Sequence, residues 1–311
     1  MAISSVEVNN FLVFRGAFSV DFCPGVNVII GGNGTGKTTM MKIMYFNTES
    51  RIITAGQTDE IYAELYITND DSVEVYFQGK LDGLDYKFCS TPEEGYQAVY
   101  IPEKDMLSNA KGLPETWEYG DSDFSQIDID IIKKARILAK KPKQALYLKI
   151  CNLIGGEPKS EGESFFMKRD DLKTPIHFSH EASGYRKLGL LALLIRNEQI
   201  KPGSVLFWDE PENSLNPEIV PVLVGILLEL AQNGVQIFVT THDYNLARYF
   251  DVRKNKDIPV MFHNFSKDDK GYISCVSSVE YIKISHNLLE SSSADLFKAV
   301  VADALEVDDD E

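Results

Sequence analysis

The nine residues Gly31-Gly32-Asn33-Gly34-Thr35-Gly36-Lys37-Thr38-Thr39 constrain this chain more than any other stretch. An apolar, β-branched run at 26–30 leads into them, and Met40, Met41, Ile43 and Met44 follow. Strand, glycine loop and helix in that order is the setting in which G-x-x-x-x-G-K-[ST] predicts a phosphate-binding loop rather than an ordinary turn. Glycines let successive backbone N–H groups turn toward one phosphate with no Cβ in the way. The helix start adds free N–H groups and the positive end of its dipole. Lys37 is then expected to reach the β- and γ-phosphates of a nucleotide, and the Thr38 hydroxyl to ligate Mg²⁺. The expected fold class is α/β.

A second run, Val205-Leu206-Phe207-Trp208-Asp209-Glu210, is an apolar strand ending in two carboxylates. Asp209 is placed to support Mg²⁺ and Glu210 to polarise an attacking water. In isolation Asp-Glu-Pro simply ends a strand and begins a turn, but Thr38 already demands a Mg²⁺ partner. Pro217 after Asn216 predicts a helix start and Gly234 its end. Ile219, Val220, Leu223, Ile226, Leu227 and Leu230 keep one face of that helix apolar. The run 235–239 predicts another buried strand, with Thr240-Thr241-His242-Asp243 at its carboxyl end, where ligand groups gather in open α/β sheets. An isolated histidine usually packs or faces solvent. His242 follows a strand expected to neighbour the Asp209 strand, which makes it the candidate γ-phosphate sensor.

Glu181-Ala182-Ser183-Gly184-Tyr185-Arg186-Lys187 opens onto the apolar run 188–195. Ser183 is the expected N-cap, and Gly184 lets a ligand approach the backbone of a helix that is apolar nearly all round. Such a helix is buried along its length with its positive end outward. Taken alone, the stretch reads as a capped core helix. Elsewhere, residues 3–22 alternate as two strands, and Pro24-Gly25 turns the chain into the loop strand. Alternation at 61–67 and 73–77 flanks a turn at Asn69-Asp70-Asp71, and 97–101 reads as a buried strand ending at Pro102. A hairpin around Asp268–Gly271 and a final helix near Ala294–Leu305 complete the chain.

The order glycine loop, Ser-Gly helix, Asp-Glu strand, then histidine resembles the ABC-class ATPases, in particular the branch of RecF, the structural-maintenance-of-chromosomes (SMC) proteins and the OLD-type ATPases. Residues 181–187 look like that branch's signature motif. Asp209-Glu210-Pro211-Glu212-Asn213-Ser214-Leu215-Asn216-Pro217 is similar to its Walker B and D-loop, Thr241-His242 to its switch histidine, and Tyr100-Ile101-Pro102-Glu103 to its Q-loop. Asn10-Phe11-Leu12-Val13-Phe14-Arg15-Gly16 resembles its first strand, so the likeness spans essentially the whole chain. The resemblance implies a single ABC-type ATPase domain over 1–311. It would have a P-loop and antiparallel β lobe (1–102), a short helical and β insertion (103–180), and a signature, Walker B and switch-histidine lobe (181–311). A mixed central sheet flanked by helices is implied too.

It further implies ATP and Mg²⁺ as ligands, with Lys37, Glu210 and His242 catalytic. Two protomers would sandwich ATP head to tail, so that Ser183 and Gly184 of one meet the γ-phosphate held by Lys37 of the other. Three departures stand out: Tyr185 where a second glycine is common, Glu103 where a glutamine is usual, and an insertion too short for a coiled-coil arm with no heptad run. Nothing after His242 resembles the TOPRIM nuclease domain of OLD proteins, so a nuclease or toxin effector is expected on another chain. That suits an antiphage-defence ATPase; the alternative is a RecF- or SMC-like clamp in DNA repair or genome maintenance.

Composition adds bounds. Four scattered cysteines, Cys23, Cys89, Cys151 and Cys275, suggest reduced thiols and a cytoplasmic setting, and the longest apolar run is too short for a membrane span. A net charge of −16 argues against nonspecific nucleic-acid binding over the whole surface. The exception is Lys133, Lys134, Arg136, Lys140, Lys141, Lys143 and Lys149, a basic stretch with no acid between Asp130 and Glu157. It reads either as a solvated helix face or as a contact for DNA or an acidic protein.

Overall fold

The computed structural model describes residues 2–48, 52–53, 62–69, 74–80, 86–87, 97–108, 110–114, 125–137 and 144–308. The chain begins with β1 (Ile3–Phe11) and β2 (Phe14–Asp21), then β3 (Val26–Gly31) and helix α1 (Lys37–Thr48). Strands β4 (Ile52–Ile53), β5 (Tyr62–Asn69), β6 (Glu74–Lys80), β7 (Tyr86–Lys87) and β8 (Ala98–Ile101) follow. Helices α2 (Gln126–Arg136) and α3 (Ala145–Ile154) and strands β9 (Glu157–Glu161), β10 (Ser164–Lys168) and β11 (Ile176–His177) form the next segment. The remainder is α4 (Ser183–Arg196), β12 (Val205–Asp209), α5 (Val220–Gln232), β13 (Gln236–Thr240), α6 (Tyr244–Arg253), β14 (Val260–Lys267), β15 (Ile273–Ser278) and α7 (Leu288–Asp308).

The central sheet has strand order β15-β14-β3-β13-β12-β8, parallel throughout except for the antiparallel pair β14–β15. Its inner strands are buried on both faces, which is why they read as continuous apolar runs. Alternation still sorts the residues into two cores. Val28, Ile30, Leu206, Trp208, Ile237 and Val239 pack toward α4, α5 and α6. Ile29, Phe207 and Phe238 pack toward α1 and the inner face of β1–β2. The antiparallel sheet β2-β1-β5-β6 covers that second face, which gives the expected N-terminal β lobe and mixed central sheet.

The two sheets are joined by one buried amide. Gln236 at the start of β13 accepts from the Ile3 backbone N–H and donates to the Ile3 carbonyl, both at 2.8 Å, and donates to the Cys23 carbonyl at 2.9 Å. Both ends of the amide are satisfied, so a glutamine is tolerated where an apolar residue is the rule. Next to it, His263 lies between Ser277 and Asn27, and burial pushes its ring down to about 3.

Several expectations need adjustment. Ala182, not Ser183, is the N-cap of α4, and Ser183 is the first helical residue. The helix after Pro217 starts at Val220, three residues late, because 217–219 form turns and Ile219 is the N-cap. The last helix begins at Leu288 rather than near 294. The β part of the expected insertion is the antiparallel pair β10–β11, with β9 on the other edge of β10. Of the predicted turn at 69–71, only Asn69 lies among the described residues; the strands it would join, β5 and β6, are paired.

Candidate nucleotide site

Strands β3, β13 and β12 are consecutive neighbours running the same way, so their carboxyl ends present three loops side by side. These carry the glycine loop, Thr240–His242 and Asp209–Glu210. The register Asp209↔Thr240 puts the acid directly against the threonine of the next strand. Gly31 ends β3 at φ 141°, and a Cβ there would sit 2.2 Å from the Phe265 carbonyl oxygen. Only glycine lets the chain leave the sheet against β14 at that point.

Lys37 Nζ donates to the carbonyls of Gly31 and Gly32, each at 2.9 Å. Burial lowers its pKa, opposed by the charges of Glu210 and Asp209. A buried ammonium held only by neutral carbonyls is an incomplete ion pair, which suits a group that phosphate would complete. Thr38 Oγ1 donates to Asp209 Oδ1 at 3.1 Å, Thr240 donates to the same oxygen, and the Tyr100 hydroxyl donates to Oδ2 at 3.2 Å. Asp209 is thus fixed by three hydroxyls. Thr38 and Asp209 are the hydroxyl and carboxylate that would hold Mg²⁺ beside a phosphate. Among the described residues no group of three or more His, Cys, Asp or Glu forms a metal cage of its own.

Glu210 leaves the strand at φ 46°, a left-handed conformation uncommon outside glycine, with its N–H donating to the Thr240 carbonyl at 3.2 Å. Its Oε1 lies 3.3 Å from His242 Nε2, and its Oε2 accepts from Asn213 Nδ2 at 2.6 Å. The same Asn213 amide reaches Glu103 Oε1 at 3.0 Å, so Asn213 links Glu103 to Glu210. His242 is depressed below the usual histidine range, first by burial and then by Lys37, with Glu210, Asp209 and Glu103 pulling the other way. A neutral ring bonds Glu210 here only as the Nε2–H tautomer. Both side chains remain partly exposed, 33% for His242 and 21% for Glu210, so water reaches the pair.

Gly184 comes up against the site from the side. A Cβ there would lie 3.0 Å from the Ser214 carbonyl oxygen and from Leu215, so α4 starts in contact with the D-loop. Lys187, in the first turns of α4, donates to the Glu210 carbonyl at 3.1 Å, and burial depresses it. Arg186 pairs with Asp105 at 2.7 Å. Buried Glu181 is gripped by Arg169 at 2.9 and 3.2 Å, which ties the signature stretch to β10 and the end of α3. The structure brings together Lys37, Thr38, Asp209, Glu210 and His242, all singled out in the sequence, and adds Tyr100, Asn213, Thr240 and Lys187, which were not read as site residues. Thr240 was signalled by its place before Thr241-His242 at a strand end; Tyr100 lies one residue before the end of β8, in register with Phe207.

The basic stretch has another use. Lys134 Nζ donates to the Ala98 carbonyl at 2.5 Å and sits 5.4 Å from the Tyr45 ring centre. Arg136 donates to the carbonyls of Ala110 and Glu163 at 2.9 and 2.8 Å, and Lys149 pairs with Glu229 at 2.6 Å. Lys133 is exposed, while Lys140, Lys141 and Lys143 lie outside the described residues. Lys134 and Arg136 therefore serve the fold.

Two family models match overlapping parts of the chain: "AAA domain, putative AbiEii toxin, Type IV TA system" over residues 107–248, and "AAA ATPase domain" over residues 1–152. The histidine/lysine/arginine/ornithine transport ATP-binding protein HisP of Escherichia coli is 23% identical over 71% of this chain and 71% of its own length. Among solved structures, an SMC head bound to the C-winged helix domain of ScpA superposes with TM-score 0.59 at 18% identity, covering 89% of this chain and 98% of that one. The SMC head domain from Thermotoga maritima gives TM-score 0.50 at 17% identity, over 89% of this chain and 99% of that one. No helix among the described residues is long and apolar enough to cross a membrane. The two ATPase-domain models and the SMC-head fold, with the glycine loop and the Asp-Glu strand end, support an ABC-class P-loop ATPase of the RecF, SMC and OLD type.

Proposed function

We propose that the protein hydrolyses Mg-ATP at sites completed by a second copy of itself, and that the ATP state is a switch acting on a separate effector. The observation that carries the hydrolytic part is Glu210, held between His242 and Asn213 beside the Thr38–Asp209 pair. Lys37 would exchange the carbonyls of Gly31 and Gly32 for phosphate oxygens. Mg²⁺ on Thr38 and Asp209 would supply charge neutralisation of the phosphate oxygens. Glu210 takes the proton from the attacking water as the β–γ bridging bond breaks and ADP leaves with the electron pair. Neutral His242 would turn its single Nε2–H from Glu210 to the γ-phosphate once ATP is bound.

Dimerisation is supported by the start of α4. A helix N-terminus is an anion site only with something negative to face, and here Gly184 abuts its own D-loop. ATP held by a second chain would provide the missing charge, and hydrolysis would release it. The match to a model described as a putative AbiEii toxin favours a toxin–antitoxin or antiphage setting, with a nuclease or toxin on another chain. An SMC head of this fold has been solved bound to a ScpA domain, which supports a separate partner here. A repair or genome-maintenance clamp is the second reading, favoured by that same fold. Glu210→Gln tests the first: with ATP and Mg²⁺ it should run as a dimer by sedimentation and without ATP as a monomer. A mutant that stays monomeric with ATP bound removes the sandwich.

A further inference from the structure

Glu212 sits on the turn leaving β12, and none of the chemistry above uses it. Its Oε1 accepts from the Thr241 hydroxyl at 2.5 Å and from the His242 backbone N–H at 3.3 Å. The Thr241 hydroxyl in turn accepts from the Asp243 N–H at 2.9 Å. One carboxylate oxygen thus organises three consecutive residues of the switch segment. On its other side that segment is tied to the sheet by the Thr241 N–H, which donates to the Ile29 carbonyl at 3.1 Å. Among the described residues the second oxygen, Oε2, is buried without a hydrogen-bond partner, and both contacts to the switch segment fall at Oε1. Burial raises the carboxyl to about 7, with Asp243 at the N-cap of α6 adding to it; the hydrogen bonds from Thr241 and the His242 N–H and the charge of Lys187 on α4 act the other way.

The geometry points to Glu212 as a positioning residue that clamps Thr241 and His242 and thereby holds His242 Nε2 against Glu210 Oε1. It rests on the reading of Glu210 and His242 as the hydrolytic pair. The ring stands 3.3 Å from Glu210 on a backbone that Glu212 fixes from one side and Ile29 from the other. Without the clamp the loop is held from one side only. A displacement of about 1 Å at a reacting group costs as much as ~100-fold in rate.

The test compares Glu212→Ala, Glu212→Gln and Thr241→Val with the wild type. Glu212→Ala should lower kcat by about 10- to 100-fold with KM for ATP within about twofold. Glu212→Gln, whose amide oxygen still accepts both hydrogen bonds, should stay within about threefold, and Thr241→Val should fall between them. A second readout needs no turnover: the His242 ring resonance in the nucleotide-free chain, assigned with His242→Gln. It should move in Glu212→Ala and Thr241→Val and hold in Glu212→Gln. If Glu212→Ala does not fold, Thr241→Val against Glu212→Gln makes the same comparison. Wild-type kcat and an unmoved resonance in Glu212→Ala would overturn the inference, as would Glu212→Gln falling as far as Glu212→Ala with its melting temperature intact. A wild type without turnover whose His242 resonance still moves in Glu212→Ala would keep the clamp and remove the hydrolytic reading.

Discussion

Two acids adjacent in sequence end β12, and their surroundings differ. Asp209 faces the glycine loop and is bonded by three hydroxyls, from Thr38, Thr240 and Tyr100, on three different elements. Glu210 faces the switch and D-loops, leaves the strand at positive φ, and is bonded by His242 and Asn213, both on loops. A carboxylate fixed by hydroxyls on one helix and two strands is suited to a metal, whose ligands must keep their distances. A carboxylate held by loop groups is suited to a proton-transfer task that switches with the position of those loops. On the proposed function, the difference would separate a binding side from a timing side within one strand end.

The sharpest way to break this division is Asp209→Asn. It should abolish Mg²⁺-dependent nucleotide affinity together with turnover, read by titrating a fluorescent ATP analogue with and without Mg²⁺. Glu210→Gln should lower turnover by ~10³-fold while that affinity stays within about threefold. If both variants lose binding equally, the two acids share one role. Tyr100→Phe removes one of the three hydroxyls and should cost about 1 kcal/mol in urea unfolding, since Asp209 Oδ2 loses a donor. A shift in the Mg²⁺ requirement larger than the stability loss would place Tyr100 on the binding side proper.

The smallest effect concerns pH. The Glu212 carboxyl, raised to about 7 from 4.5, keeps its proton in the folded chain where the unfolded chain has lost it. The folded state thus binds more protons between about 4.5 and 7, and this group's contribution to stability falls as pH rises through that window. Glu212→Gln should therefore gain melting temperature relative to the wild type from pH 5 to pH 8. A parallel offset at both pH values would mean the carboxyl is not raised.

The binding side was legible in the sequence because each of its parts has a spacing that physics enforces. The loop needs glycines before Lys37, and Asp209 must follow an apolar strand. The timing side was legible only at Glu210 and His242. Asn213 and Glu212 act through a loop whose turns at 210 and 214, both at positive φ, no periodicity announces. Lys134 misled for a related reason. Its charge is visible in the sequence, but its bond to the Ala98 carbonyl depends on α2 lying beside β8. A run of lysines says nothing about which of them the fold consumes.

The central claim is that the site is completed by a second chain, and the steady-state ATPase rate per protomer against protein concentration tests it most directly, with Glu210→Gln as the blank. The account predicts a rate per protomer that climbs with concentration and levels off as dimers saturate. A substantial rate that stays flat across the same range would show a site complete in one chain and contradict it.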